Sequence, residues 1–282
     1  MSSATHRMRD ADFTALSAQS TLALRSSNRM PVLGLGSWQL KQDTVDTVVA
    51  AIKLGFRMID TSGDYGTHAG IGAGIRHSGI KRDELYVTTK IEETDDAYQA
   101  ARKNLGELQL DYVDLLLIHR PPPNGAGEDL WRGLMRAKQE DLTRDIGVSN
   151  YSIEQIDALI RSTGVAPAVN QIEWSPFGHS VRMWEYCRKL EIVIQACSPL
   201  TRASRLDDEN LRAMAKRYRK TPAQLLIRWN LQLGVVPLPK ANRLEHQLED
   251  LDVFDFEISA ADMTVLASLN ERYSALGSLP YD

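Results

Sequence analysis

The sequence predicts an α/β chain closed into a single (β/α)8 TIM barrel, with an N-terminal β-hairpin and an extra C-terminal helix. Three observations carry the prediction. Strand-like and helix-like segments alternate strictly from residue 32 onwards, which requires a parallel sheet. Eight rounds of that alternation fit within 282 residues, near the usual size of one such barrel. Polar groups suited to chemistry stand at the far ends of apolar runs, where this fold keeps its active sites. A doubly wound open sheet is the competing architecture. It lacks its glycine fingerprint here, because Gly34-Leu35-Gly36 runs on into Ser37-Trp38-Gln39 with no helix-opening glycine.

The elements follow in order. Residues 1–20 are polar and without sustained pattern, and are expected to form a loose extension ahead of one barrel domain over 21–282. Thr21 to Pro31 reads as a hairpin turning at Ser26-Ser27-Asn28. Strands are expected at 32–36, 56–60, 85–89, 113–118, 145–149, 168–172, 192–196 and 235–238, mostly as short apolar runs of the kind that is covered on both faces. Helical spacing fills the gaps. Val45 to Leu54 is the first, and the second, around Ile71 and Ile75, is glycine-rich and weak. Ala97 to Leu108 and Leu130 to Met135 follow, then Ile153 to Ile160 with Ser152 as N-cap, then Val181 to Leu190. Leu211 to Tyr218 and Pro222 to Leu233 form a pair, the latter capped by Thr221 with Pro222 at its first position. Leu244 to Leu251 is the eighth, and Ala260 to Leu269, after Ser259, would pack outside the barrel.

Composition narrows the function. A hydrophobic share of 43% supports a sizeable core, and a net charge of −4 gives no bias towards nucleic acid or a membrane surface. Cys187 and Cys197 are too few for a disulfide scaffold, and a reduced compartment follows as the simpler expectation. With no run of signal-peptide or membrane-spanning length, the expectation is a cytoplasmic protein, monomeric by default.

Four residues suggest chemistry: Asp60 and Tyr65 around the second strand, Lys90 at the end of the third and His119 at the end of the fourth. Taken singly they read as a turn cap, a loop aromatic, a solvated lysine and a structural histidine. Together they suit reduction of a carbonyl. Tyr65 would protonate the forming alkoxide, Lys90 would ease that donation, Asp60 would hold Lys90, and His119 would aim the carbonyl oxygen. The histidines show no metal-ligand spacing and no carboxylate pair stands out, so a barrel hydrolase has no support.

With these motifs the chain resembles the aldo-keto reductases over roughly residues 20–270. Gly34-Leu35-Gly36-Ser37-Trp38, Asp60-Thr61 with Tyr65-Gly66, Thr88-Thr89-Lys90 and Leu117-Ile118-His119 carry the likeness. So do Gly147-Val148-Ser149-Asn150, Val169-Asn170-Gln171, Ser198-Pro199-Leu200 and Pro239-Lys240, in family order. The resemblance implies the tetrad Asp60, Tyr65, Lys90 and His119, and an extended NADP(H) bound without a Rossmann fold. It implies Ser149, Asn150 and Gln171 at the nicotinamide carboxamide, Ser198 and Leu200 at the pyrophosphate, Lys240 at the adenosine phosphate and Glu249 at the adenine. Trp38 would line the substrate pocket. The partner implied is a small-molecule carbonyl. A cofactor-binding sensor or regulatory subunit on the same barrel is the alternative from another class.

Departures from the family pattern matter as much. His68 replaces a usual glutamate and is expected in an exposed loop or helix start. Arg120, where a large apolar group is common, either enters the pocket and favours an anionic substrate or points outward as a solvated charge. Cys197 stands where an aromatic often stacks on nicotinamide, so either the nicotinamide is held less tightly or Trp174 covers part of that gap; Cys197 lacks a paired base and reads as structural. Ala241, His246 and Asp250 replace the usual phosphate-reading residues. Arg243 is expected to face the 2′-phosphate, with NADP(H) preferred and NAD(H) possible. Pro121-Pro122-Pro123 should shape the substrate rim, the Leu200–Asp208 connection should clamp the cofactor only lightly, and Ser274 to Asp282 either completes the rim or trails.

Overall fold

The structure is a computed structural model that describes residues 16–40 and 42–281. An antiparallel hairpin, β1 (Thr21–Ala23) and β2 (Arg29–Pro31), precedes the sheet. Eight parallel strands then neighbour one another in chain order: β3 (Leu35–Gly36), β4 (Met58–Asp60), β5 (Tyr86–Ile91), β6 (Val113–Ile118), β7 (Thr143–Ser149), β8 (Val169–Glu173), β9 (Val193–Cys197) and β10 (Val236–Pro237). The seam between last and first strand is bridged by Gly34 N–H donating to the Pro237 carbonyl at 3.2 Å and Gly36 N–H donating to that of Pro239 at 2.8 Å. Glycine is needed at this seam, because a Cβ on Gly36 would stand 2.8 Å from the Leu238 carbonyl oxygen. The predicted barrel is therefore closed.

Strand alternation sorts side chains between two apolar clusters. In β6, Leu115 and Leu117 join the inner cluster with Met30, Leu35 and Met58, while Leu116 and Ile118 join the outer one against the helices. Each such burial contributes roughly 1.5–3 kcal/mol, so a one-residue slip that exchanged the faces is strongly disfavoured. That preference fixes which residues face the barrel interior at its C-terminal end.

The helices fall where the spacing places them: α1 (Thr44–Leu54), α2 (His68–Ser78), α3 (Ala97–Leu108), α4 (Glu128–Gln139), α5 (Ile153–Thr163), α6 (Val181–Lys189), α7 (Glu209–Tyr218), α8 (Pro222–Gln232), α9 (Leu244–Leu251) and α10 (Ala260–Ala267). Ser152 and Thr221 both build capping boxes, with Gln155 and Gln224, satisfying otherwise orphaned N–H groups. The weak α2 has a packing reason for its glycines. A Cβ on Gly72 would stand 2.0 Å from the Leu108 carbonyl oxygen of α3, and one on Gly74 would press on Val48 of α1 at 2.7 Å.

The loose-extension expectation is corrected for residues 16–20. Ser17 and Ser20 close a turn, Leu16 packs against the inner cluster, and the Ser20 carbonyl accepts from Val32 N–H at 3.2 Å. Residues 1–15 lie outside the described residues.

Candidate active site

A cavity of about 930 Å³ opens at the C-terminal ends of the strands. It is lined by Asp60, Tyr65 and His119 at one end and by Lys240, Glu249 and Asp250 at the other. The inner face supplies its floor by alternation: Ser149 ends β7, Gln171 lies in β8 and Cys197 ends β9, while Lys90, two residues past Thr88 in β5, is buried below and does not line the cavity.

Lys90 is fully buried, and its Nζ donates to Asp60 Oδ1 and to the Thr61 carbonyl, both at 2.8 Å. Burial by itself would lower the ammonium's pKa; the charges of Asp60 and Tyr65 outweigh it and hold Lys90 above its ordinary value. Asp60 is positioned in turn by Gln171, whose Nε2 donates to Oδ2 at 2.8 Å and to Gln195 Oε1 at 3.0 Å. Tyr65 ends a short 3-10 turn over Gly63–Tyr65, and Lys90 Nζ stands 5.0 Å from its ring centre. Burial pushes the Tyr65 phenol up to about 12, against the pull of Lys90. The phenol is thus a fully protonated acid at neutral pH, eased but not ionised by its neighbour.

His119 is buried beneath Tyr65, edge-on to its ring at 5.8 Å between centres. Its Nδ1 meets Glu92 Oε1 at 2.9 Å, Ser62 Oγ at 3.3 Å and Asp64 Oδ1 at 3.5 Å. Atoms of Asp64, Glu92 and His119 come within 4.8 Å of one another, a grouping the scattered histidines do not foretell. Arg120 supplies positive charge beside them, half exposed and paired with Asp64, Glu92 and Glu93 at 3.7, 3.3 and 3.9 Å. It lines the cavity, so neither simple alternative for Arg120 holds: it sits at the rim with its charge already engaged.

The cofactor candidates divide. Ser149, Asn150, Gln171, Ser198, Leu200, Lys240 and Glu249 all line the cavity, as do Trp38 and His246. Asn150 sits in the left-handed region at φ 62° and donates through Nδ2 to the His119 carbonyl at 3.0 Å. Glu249 accepts from Thr221 Oγ1 at 2.5 Å. Arg243 is not among the lining residues; it precedes α9 and donates to His246 Nε2 at 2.6 Å, so it meets the cavity only through that imidazole. Asp250, which sequence reasoning marked only as a departure, lines the cavity with Oδ2 buried and without a hydrogen-bond partner among the described residues. Burial, aided by Glu249, holds its carboxyl well above the usual range.

Three expectations are corrected and one, for Cys197, is kept. His68 is not exposed: it is 3% exposed at the start of α2, with Nε2 2.9 Å from Thr89 Oγ1 and Nδ1 2.9 Å from Glu107. Trp174 does not cover the gap beside Cys197; it is buried behind the cavity against His179 and Tyr281. Cys197 does line the cavity, and burial holds its thiol up near about 12, which keeps it an unreactive neutral group. The loop after Leu200 does more than rest on the cavity. Arg202 stacks over the Trp38 ring at 4.1 Å, and Thr201, Arg202 and Ala203 all hold left-handed backbone, at φ 52°, 50° and 65°. Non-glycine residues there cost on the order of 1–2 kcal/mol each.

The C-terminal tail completes the rim, through Leu276, Ser278 and Pro280. Its anchor is Glu173 at the end of β8, which accepts from Ser274 Oγ and Ala275 N–H, both at 2.6 Å, while its carbonyl accepts from Tyr281. Sequence offered no signal for Glu92 as part of this site, because its partner His119 is remote in the chain.

The Aldo/keto reductase family profile matches residues 32–271. An aldo-keto reductase of Mycobacterium tuberculosis is 42% identical over 260 residues, covering 90% of this chain and 92% of the relative. The glyoxal reductase of Bacillus subtilis is 38% identical over 261 residues, covering 90% and 94%. Among solved structures, an aldo/keto reductase from Brucella melitensis superposes with a TM-score of 0.83 at 35% identity, over 89% of this chain and 99% of that one. The Bombyx mori aldo-keto reductase in complex with NADP gives 0.86 at 29% identity, over 95% and 99%.

Proposed function

The chain belongs to the aldo/keto reductase family, and from that premise we propose that it reduces small neutral aldehydes or ketones with NADPH, with Tyr65 as the proton donor. One observation carries the reading: Tyr65, lining the cavity beside His119, stands over a buried, ion-paired Lys90.

The cavity suits an extended dinucleotide. Ser149, Asn150 and Gln171 offer amide and hydroxyl groups at the tetrad end, where a carboxamide needs donors and acceptors. Lys240 and the His246–Arg243 pair offer positive charge at the other end, where a 2′-phosphate needs it. The unpartnered, buried Asp250 oxygen suits the polar edge of an adenine. Bound NADPH supplies a hydride for the carbonyl carbon. Tyr65 then gives its proton to the oxygen; Lys90 lowers the cost of leaving a phenolate behind, and Asp60 keeps Lys90 charged and in place. His119 steadies the oxygen as negative charge grows on it.

Three carboxylates surround the single guanidinium of Arg120 at the rim, so the mouth repels anions and favours neutral carbonyls. The name of the Bacillus subtilis relative points to glyoxal as a first substrate to try. The test follows NADPH absorbance with glyoxal and with 4-nitrobenzaldehyde. Tyr65→Phe is expected to lower kcat by about 10²–10⁴-fold while NADPH binding, followed by its fluorescence, is retained. Undiminished turnover by Tyr65→Phe would refute the role.

A further inference from the structure

The mechanism above leaves Glu92 unused, although it makes the shortest hydrogen bond to the His119 ring. It lies two residues beyond Lys90, and its Oε1 stands 2.9 Å from His119 Nδ1. Its Oε2 is held by Arg120 Nη1 at 3.3 Å, and Ser62 Oγ donates to Oε1 at 3.4 Å. Burial raises the Glu92 carboxyl, but hydrogen bonding and charge from His119 and Arg120 outweigh it, so the group stays an anion. An anionic carboxylate only accepts hydrogen bonds, so the nitrogen facing it must carry a proton.

A carbonyl oxygen also only accepts. Neutral imidazole has one N–H. With that N–H given to Glu92, Nε2 is a bare lone pair, and it has no hydrogen-bond partner among the described residues. We propose that Glu92 is a positioning residue that fixes the His119 proton on Nδ1, so that His119 donates to the substrate oxygen only as the imidazolium. The proposal rests on the reductase reading for its substrate, but its claim about the tautomer stands on Glu92 and His119 alone.

The surroundings of His119 are mixed in charge. Asp64 and Glu92 favour the imidazolium, and Glu93 adds to them from behind Arg120. Lys90 and Arg120 oppose it. Tyr65, Cys197, Ser62 and Asn150 are uncharged at neutral pH.

Glu92→Gln separates this from a structural role. Its amide can donate to a bare Nδ1, which moves the proton of neutral imidazole to Nε2. Long-range proton–nitrogen spectra of the full chain, with and without NADP+, read the tautomer directly; His119→Gln identifies the resonances. The neutral ring is expected to be the Nδ1–H form in wild type and the Nε2–H form in Glu92→Gln, whereas Glu92→Ala leaves Asp64 facing Nδ1 at 3.5 Å and should keep more of the Nδ1–H form. In glyoxal reduction, wild-type kcat/KM should fall tenfold per pH unit above the imidazole titration. Glu92→Gln should instead level off on the alkaline side at roughly a tenth of its acid-side value, because there a neutral Nε2–H donor replaces the charged one. An Nε2–H tautomer in wild type, or identical pH profiles in wild type and Glu92→Gln, overturns the proposal. If wild type bound NADP+ but turned over no carbonyl, the reductase reading would fall, and the tautomer measurement would still decide the role of Glu92.

Discussion

Replacing Asp60 by Asn tests the centre of the site with the fewest atoms changed. Asp60 uses both carboxylate oxygens, Oδ1 for Lys90 and Oδ2 for Gln171, and is itself only 4% exposed. Asn has one acceptor oxygen, so its NH₂ must face either Lys90 Nζ or Gln171 Nε2, both donors. Gln171 cannot simply turn over, because the same Nε2 is committed to Gln195 Oε1 at 3.0 Å. A buried donor facing a donor costs about 1–3 kcal/mol, and removing one partner of a buried ion pair costs about 3–5 kcal/mol. The two overlap, and Lys90 keeps the Thr61 carbonyl at 2.8 Å, so a net loss of about 3–5 kcal/mol is expected. At roughly 2–4 °C per kcal/mol for a chain of this size class, Tm should fall by roughly 6–20 °C.

The pH dependence has a definite sign. In wild type Lys90 is held above its ordinary value, so its contribution is fully present below the unfolded pKa, near about 10.4, and is lost only as pH rises through the folded value. Without Asp60 the lowering effect of burial prevails. Lys90 then contributes stability above the unfolded pKa and loses it as pH falls. The gap in Tm between wild type and Asp60→Asn should therefore be wider at pH 7 than at pH 9.5, as measured by thermal melts followed through tryptophan fluorescence. A Tm within 2 °C of wild type, or a gap that does not change with pH, would refute the reasoning.

Two further expectations concern the scaffold. Burial lowers the pKa of His68 despite Glu107, so its contribution is present above the unfolded pKa, near about 6.5, and lost as pH falls; His68→Gln should lose less stability than wild type between pH 7 and pH 5 in urea melts. Gly72→Ala should destabilise by about 1–3 kcal/mol, because its Cβ would stand 2.0 Å from the Leu108 carbonyl oxygen, whereas Gly106→Ala, with nothing within 4 Å, should stabilise by up to about 1 kcal/mol in the same assay.

Local signals made the fold legible. Short apolar runs such as Val113–Ile118 and caps such as Ser152 and Thr221 act within a few residues of one another, and so can be read one segment at a time. The helix over His68–Ser78 was the faintest, because its glycines answer to α1 and α3 and not to helix propensity. The tetrad was legible for a related reason. In a closed parallel barrel, a polar residue at the C-terminal end of a strand and on its inner face has one place to go, so Asp60, Lys90 and His119 could be assigned together.

What the chain order determined by itself was therefore the barrel, its caps and the residues at the strand ends. What only the tertiary structure decided was who touches whom across the mouth: Glu92 on His119, Arg202 on Trp38, Glu173 under the tail, His68 on Thr89 and Glu107, and Arg243 set back behind His246. These contacts join loops and strand ends far apart in sequence. Their geometry comes from barrel closure and loop packing, and no local spacing encodes either.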